Sequence, residues 1–418
     1  MSAAAAAPRR RYAQLAVLVL ASGGIYPLLY LRQNFEVSML QAFAIDLTQL
    51  GQCYSVLGLV FFLSYGPSGW LADRISARSL LVFSLATTGL LGLWFRTLPP
   101  FWALLLIFGG WGVTTGLSFW AALIKETNLI AGSGRQGRFF GILEGGRGVV
   151  EALLGSVVVA WFAWRLSQPG GATAQALREV IAIYVTVLFA LALLTWLALA
   201  GDDRAGPRLQ RQGPRPAFWR DLRDVLSRER VWLAALCILC GYALFYATYS
   251  FAGFAQTELG LSAVMTGWFT LGRLWMRPIG GIVAGFVGDR FRVDRVLALS
   301  LAASGLGLGA MVLLPRASAV LPALALVLSV SVLTYAVRGI YWGTLEDCAV
   351  PAARRGLAIG VISVIGYTPE IWVPLLNGWC VDTFPGRRGY ALFYGSIGLL
   401  GLLGAAAALR LGRIRDRD

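Results

Sequence analysis

Five arginines and four glutamates interrupt stretches of this sequence that are otherwise apolar. Arg32 and Glu36 sit four residues apart in the first stretch. Glu144, Arg147 and Glu151 are spaced three and four in the fifth. Arg273 and Arg277 fall in the eighth, Arg338 in the tenth and Glu370 in the eleventh. An ionisable side chain facing hydrocarbon is costly, by about 3 kcal/mol or more, so such groups turn towards a protein interior or a watery cavity. Two chemistries suit them. A planar guanidinium grips a carboxylate or phosphate through two parallel hydrogen bonds. A desolvated carboxylate takes up and releases a proton near neutral pH. The expectation is that Arg32, Arg147 and Arg338 hold an anionic group, and that Tyr30, Tyr246, Tyr341 and Trp342 shape the pocket. Glu36, Glu144 or Glu370 then carries a proton.

Plainer readings stand beside these. Glu36 can neutralise Arg32 at its i,i+4 spacing, and Glu144, Arg147 and Glu151 can form an intrahelical ion ladder that braces the structure. Glu370 has no partner in its own helix, but Arg338 or Arg277 can supply one from a neighbour. Arg273 and Arg277 either line a cavity or bind carbonyls. Tyr242, Phe245, Tyr246 and Tyr249 recur at i, i+3, i+4 and i+7, a stripe that packs a helix or walls a pocket.

The elements that must carry these residues are long apolar helices. Of 418 residues, 57% are hydrophobic and 14% charged, whereas a soluble protein is about a quarter charged. The apolar runs are continuous rather than alternating, so they are helices and not barrel strands. At roughly 20 residues per span, they fall near 12–41, 51–72, 79–98, 99–124, 139–164 and 179–200, then near 231–255, 264–287, 296–315, 319–345, 357–380 and 390–410. This is an all-α membrane protein of twelve transmembrane helices. Residues 1–200 form one six-helix bundle, 201–230 a linker and 231–418 a second bundle. The first apolar stretch continues through Pro27, which makes it an uncleaved span rather than a signal peptide.

The formal net charge of +15 comes from clusters between the spans, an orientation signal rather than a nucleic-acid surface. The N-terminus, central linker, C-terminus and the loops on their side carry 25 Lys and Arg against 6 on the opposite side. Both termini are therefore expected in the cytoplasm, with the chain multi-pass in the inner membrane. There is no His, which removes imidazole metal sites and the usual catalytic triads. Cys237 and Cys240 lie within an apolar helix and read as packing. Lys125, the sole Lys, sits in no phosphate-binding loop, so ATP-driven transport is not expected. No metal, cofactor or enzymatic activity is expected.

The two halves repeat each other. Gly69, Asp73 and Arg74 after the second span match Gly285, Asp289 and Arg290 after the eighth. Phe119-Trp120 before Glu126 is echoed by Tyr341-Trp342 before Glu346, and Arg138 by Arg355. From Gly69 to Arg78 the chain resembles the signature loop of the major facilitator superfamily, G-x-L-A-D-R-x-G-R-R/K, with Ser76 and Ala77 departing from it. The resemblance implies two pseudo-symmetric six-helix bundles that rock around a central cavity. It makes Gly69, Asp73, Arg74, Arg78, Glu126, Arg138, Asp289, Arg290, Glu346 and Arg355 a cytoplasmic gate. Tyr30 to Phe35 also resembles the first span of the organophosphate:phosphate antiporter branch, where the residue matching Arg32 binds phosphate. That branch's second arginine, in the seventh span, falls on Phe245 here. The segments at 137–148, 338–347 and 361–372 resemble a bacterial group beside that branch. Together these point to a secondary transporter of a small organic anion or zwitterion, coupled to a proton, acting as a monomer in the bilayer. Efflux of amphipathic compounds, and a membrane sensor built on a transporter fold, remain the alternatives.

Overall fold

The computed structural model describes residues 3–131, 136–199, 218–314, 320–351 and 354–416. Among them every regular element is helical. The chain divides into two compact units, residues 1–45 with 52–210, and residues 46–51 with 211–418.

In the first unit, α1 (Ala3–Leu29) and α2 (Arg32–Phe43) form one span with a break between them. Pro27 cannot donate to the carbonyl one turn back. The chain then tightens, with Gln33 donating to Tyr30 rather than to Leu29. Phe35 leaves helical geometry at φ −131°, ψ 29°. Next come α3 (Leu47–Arg74), which belongs to this unit from residue 52 onward, and α4 (Ala77–Arg96), whose N-terminus is capped by the Ser76 hydroxyl accepting from the Ser79 amide. The fourth span is α5 (Phe101–Gly112), a π-helical stretch from Val113 to Phe119, and α6 (Trp120–Ala131). Thr114 and Thr115 donate their hydroxyls to the Trp111 carbonyl and Ser118 to that of Thr114, which suits a locally widened helix. Helices α7 (Gln136–Ser167) and α8 (Thr173–Ala198) complete the unit.

The second unit opens with a short surface helix, α9 (Phe218–Leu226). Its first span is α10 (Glu229–Ala247), a 3-10 turn at Thr248–Ser250, and α11 (Phe251–Thr257). Then follow α12 (Ala263–Arg290) and α13 (Val293–Leu313). α14 (Val320–Ile340) runs through a 3-10 turn at Tyr341–Gly343 into α15 (Thr344–Asp347). α16 (Arg355–Gly366) and α17 (Pro369–Thr383) make one span broken at Tyr367–Thr368, and α18 (Arg387–Arg415) is last.

Among the described residues eleven of these runs are long and apolar enough to cross a membrane. The remaining expected span corresponds to α12, a continuous helix of 28 residues. At 1.5 Å per residue its length is about 42 Å, also sufficient for a crossing. Close helix contact is made by glycine where α13 meets α18. A Cβ on Gly305 would lie 2.5 Å from the Gly398 carbonyl oxygen, so only hydrogen fits between these backbones.

Candidate functional site

In each unit a helix break brings charged residues and aromatic rings together. In the first unit the break after Leu29 leaves that residue's carbonyl without its usual partner, and the Tyr54 hydroxyl donates to it at 2.8 Å. Tyr54 in turn lies under Arg32, whose guanidinium carbon is 5.2 Å from the ring centroid. Arg32 and Glu36 are both buried, and Arg32 donates from Nε and Nη2 to one Glu36 oxygen at 3.0 and 2.5 Å. The i,i+4 pairing seen as an alternative from spacing is thus what this arrangement shows.

Rings connect this pair to the fifth span. Tyr54 stacks on Tyr30 at 6.0 Å, Tyr30 on Tyr26 at 6.4 Å, and Tyr26 meets Phe119 edge-on at 6.2 Å. Arg147 caps the far end, 4.7 Å from the Tyr26 ring and 5.6 Å from the Trp120 ring. It also pairs with Glu151 at 3.3 Å and Glu144 at 3.7 Å. The Glu144 side chain is 54% exposed against 14% for Glu151, so Glu151 is the sheltered member of the ladder. The unit therefore contains a tyrosine ladder with an arginine at each end, and carboxylates beside both.

The second unit is built differently. Arg338 reaches from the last turn of α14 to lie over Phe245, with 4.1 Å between guanidinium carbon and ring centroid, and 5.5 Å to Tyr242. Among the described residues no carboxylate lies within 4.0 Å of its nitrogens. A guanidinium face resting on a ring leaves its N–H edge available for hydrogen bonds in the plane. Phe245 is thus the platform for an arginine arriving from another helix.

Glu370 opens α17 just after the break at Tyr367–Thr368. It accepts hydrogen bonds from the Tyr246 hydroxyl at 2.5 Å and the Tyr242 hydroxyl at 3.3 Å. Tyr242 therefore touches both Glu370 and Arg338. Tyr367 packs edge-on against Tyr242 at 4.8 Å. It receives a hydrogen bond from Trp342 Nε1 at 3.2 Å, and its hydroxyl is 3.4 Å from that of Tyr341. The structure thus brings Tyr246, Tyr341, Trp342, Arg338 and Glu370 into one aromatic and polar cluster. Arg273 is fully buried, donates to the Thr248 hydroxyl at 2.9 Å and lies over Tyr249 at 5.1 Å. Tyr54 and Tyr367 belong to the clusters although neither was expected there; Tyr54 lies opposite a helix break and Tyr367 within one.

At the C-terminal end of α3, Arg74 stacks on Trp70 at 3.8 Å, and Gly69 is exposed with nothing near its Cβ position. Arg78 donates to the Trp196 carbonyl at 2.9 Å and lies over that ring. Arg138 faces Tyr12 at 5.6 Å, Glu126 is buried, and Arg290 is exposed. The side chains of Asp73, Asp289, Glu346 and Arg355 lie outside the described residues. Their sequence neighbours form a network that spacing did not single out. Arg415 pairs with Asp347 at 2.9 Å and Asp294 at 3.1 Å, while Arg292 pairs with Asp294 at 3.1 Å and Asp416 at 2.8 Å. The Arg292 hydrogen bond holds the Asp416 carboxyl below the usual carboxylate range. Asp294 sits in the first turn of α13 and Arg415 in the last turn of α18, each placed as the helix dipole favours.

The sequence matches the family model described as Major Facilitator Superfamily over residues 15–374. It is 29% identical to the inner membrane protein YqcE of Escherichia coli over 98% of this chain and 96% of that one. It is 25% identical to the inner membrane protein YihN of the same organism, over 96% of each. Among solved structures, a bacterial homologue of the human lysosomal transporter Spinster, inward-facing and occupied, superposes with TM-score 0.76 at 16% identity over 97% of each chain. The nucleoside transporter NupG gives 0.72 at 13% identity, over 95% of this chain and 98% of that one.

Proposed function

Since the chain belongs to the Major Facilitator Superfamily, a family of membrane transporters and not of enzymes, we propose that it moves a small organic anion by alternating access, coupled to a proton. The observation that carries this reading is Arg338, resting on Phe245 with no carboxylate within 4.0 Å among the described residues. A permanent positive charge inside a span needs a counter-charge, and a substrate anion supplies one in each cycle. Tyr341, Trp342 and Tyr367 belong to the same cluster and offer ring faces and hydrogen-bonding edges, as a small-molecule pocket requires. Glu370 is the proton carrier. It is buried, and through Tyr242 it shares a contact with Arg338. An anion arriving at Arg338 therefore alters the field at the carboxylate, which links substrate and proton occupancy. In the first unit Arg32 is already satisfied by Glu36, so its release for substrate requires Glu36 to be protonated. The membrane is the inner one, with both termini cytoplasmic, and the network of Arg292, Asp294, Asp347, Arg415 and Asp416 closes the cytoplasmic end of the second unit.

The test is uptake of organic anions by liposomes that contain only the purified protein, with and without an inward proton gradient. Wild type should show saturable, gradient-driven uptake of at least one anion. Arg338→Lys keeps the charge but loses the planar fork, and should raise KM by about 100-fold, as expected for about 3 kcal/mol of charge-assisted hydrogen bonding. Glu370→Gln should keep anion exchange while losing gradient-driven accumulation. Movement of lipophilic cations instead, indifferent to Arg338→Lys, would replace this reading with efflux of amphipathic compounds.

A further inference from the structure

The second unit holds an apolar groove that plays no part in the charged clusters. It lies between the surface helix α9 and α16, with a volume of about 400 Å³. Leu222 and Leu226 line it from α9, and Val361, Val364 and Ile365 from α16. Gly360 is also part of the wall, and a Cβ there would meet nothing within 4 Å. Among the described residues the groove is thus open at the point where a larger side chain would have closed it.

Val225 is buried beneath α9, but Leu222 and Leu226 are left facing the groove. The opposite face of α9 is pinned by charge: Arg354 pairs with Asp221 and with Asp224, each at 2.8 Å. Arg228 pairs with Asp224 at 3.1 Å and donates to the Ala349 carbonyl at 2.8 Å. The helix is therefore held by Val225 and its acidic face, while among the described residues its leucines look onto unfilled space. In water such a slot would be an aggregation liability. In a membrane protein the surrounding solvent includes acyl chains that fill it.

Charge on the helix that lines the slot selects among lipids. Arg220 and Arg223 stand exposed on α9, and among the described residues neither has a carboxylate within ion-pair distance. Trp219 beside them is 78% exposed, as expected of an indole at headgroup depth. Cations one turn apart on the helix that lines an apolar slot match a negatively charged headgroup on a hydrocarbon chain. We propose that the groove between α9 and α16 binds one acyl chain of an anionic phospholipid, whose headgroup is held by Arg220 and Arg223. The linker helix is thereby moored to the bilayer on one face and to the second unit on the other.

The experiment uses the full-length protein, stripped of lipid in detergent. Phosphatidylglycerol or phosphatidylcholine of the same chains is added, and retained lipid is counted by native mass spectrometry. Wild type should keep one phosphatidylglycerol with a preference of about 30-fold over phosphatidylcholine, as two basic residues near an anionic headgroup imply. Gly360→Phe fills the slot and should lose that lipid, while its melting temperature without lipid stays at the wild-type value. Arg220→Ala with Arg223→Ala, both on the surface, should bring the preference close to unity. Equal retention of the two lipids by wild type would overturn the proposal. So would an undiminished phosphatidylglycerol count in a folded Gly360→Phe protein, or an unchanged preference in the double variant.

Discussion

Arg32 and Arg338 are both arginines placed inside spans, yet they stand in opposite states. Arg32 has its acid one turn away and uses two nitrogens on it; Arg338 has rings beneath it instead. The first state was legible in the sequence, because i,i+4 spacing puts Glu36 within reach whatever else the chain does. The second was legible only in part. No acid lies near Arg338 on its own helix, but that Phe245 from another span would become its platform depends on how the helices pack. The difference has a measurable consequence. Removing one member of a buried ion pair strands the other charge and costs about 3–5 kcal/mol, whereas replacing both by apolar residues of similar volume is close to neutral. Arg32→Met and Glu36→Leu should each lower the melting temperature in detergent, and the double variant should recover most of the loss. Recovery of stability together with transport would make the pair a structural brace. Recovery of stability without transport would keep Arg32 in the substrate path.

At the scale of elements, the helix breaks coincide with the residues assigned to chemistry. Tyr30 and Arg32 flank the first break, and Trp120 follows the π stretch of the fourth span. Tyr249 lies in the 3-10 turn of the seventh, Tyr341 and Trp342 in that of the tenth, and Glu370 follows the break in the eleventh. The fourth and tenth spans are irregular at matching places, as the Phe119-Trp120 and Tyr341-Trp342 echo implies. Irregular backbone at membrane depth is tolerated where it is buried in protein or lines a cavity, so broken helices and functional residues belong together. Pro27 and Pro369 announced two of these breaks. Nothing in the local sequence announced the 3-10 turns at 248–250 and 341–343, since no proline marks either one. The regular helix contacts can be tested by a pair of glycines on α13. Gly305→Ala pushes a methyl into the Gly398 backbone and should cost about 1–3 kcal/mol by overpacking. Gly309→Ala, where nothing lies within 4 Å, should leave the melting temperature unchanged or raise it slightly. Equal loss from both would mean that α13 and α18 do not cross at Gly305.

For the whole molecule, the unequal distribution of basic residues makes a claim about direction that contacts within the fold cannot make. Lys and Arg resist translocation, so the side bearing 25 of them against 6 should face the cytoplasm. The ion pairs of Arg292 and Arg415 lie at that same end, so one terminus of α18 carries both the network and part of the charge bias. Helix α18 runs from Arg387 to Arg415 and is about 43 Å long at 1.5 Å per residue, enough for its ends to emerge on opposite sides. Arg388 and Arg413 are exposed near those two ends, and all five native cysteines are buried, so an introduced thiol reports with little background. Arg388→Cys should react with a membrane-impermeant maleimide added to right-side-out vesicles. Arg413→Cys should react only after the vesicles are opened or inverted. The reverse pattern would turn the protein over and place the charged network outside, which would remove its role as a cytoplasmic closure. Labelling of both from one side would mean that α18 does not cross the bilayer.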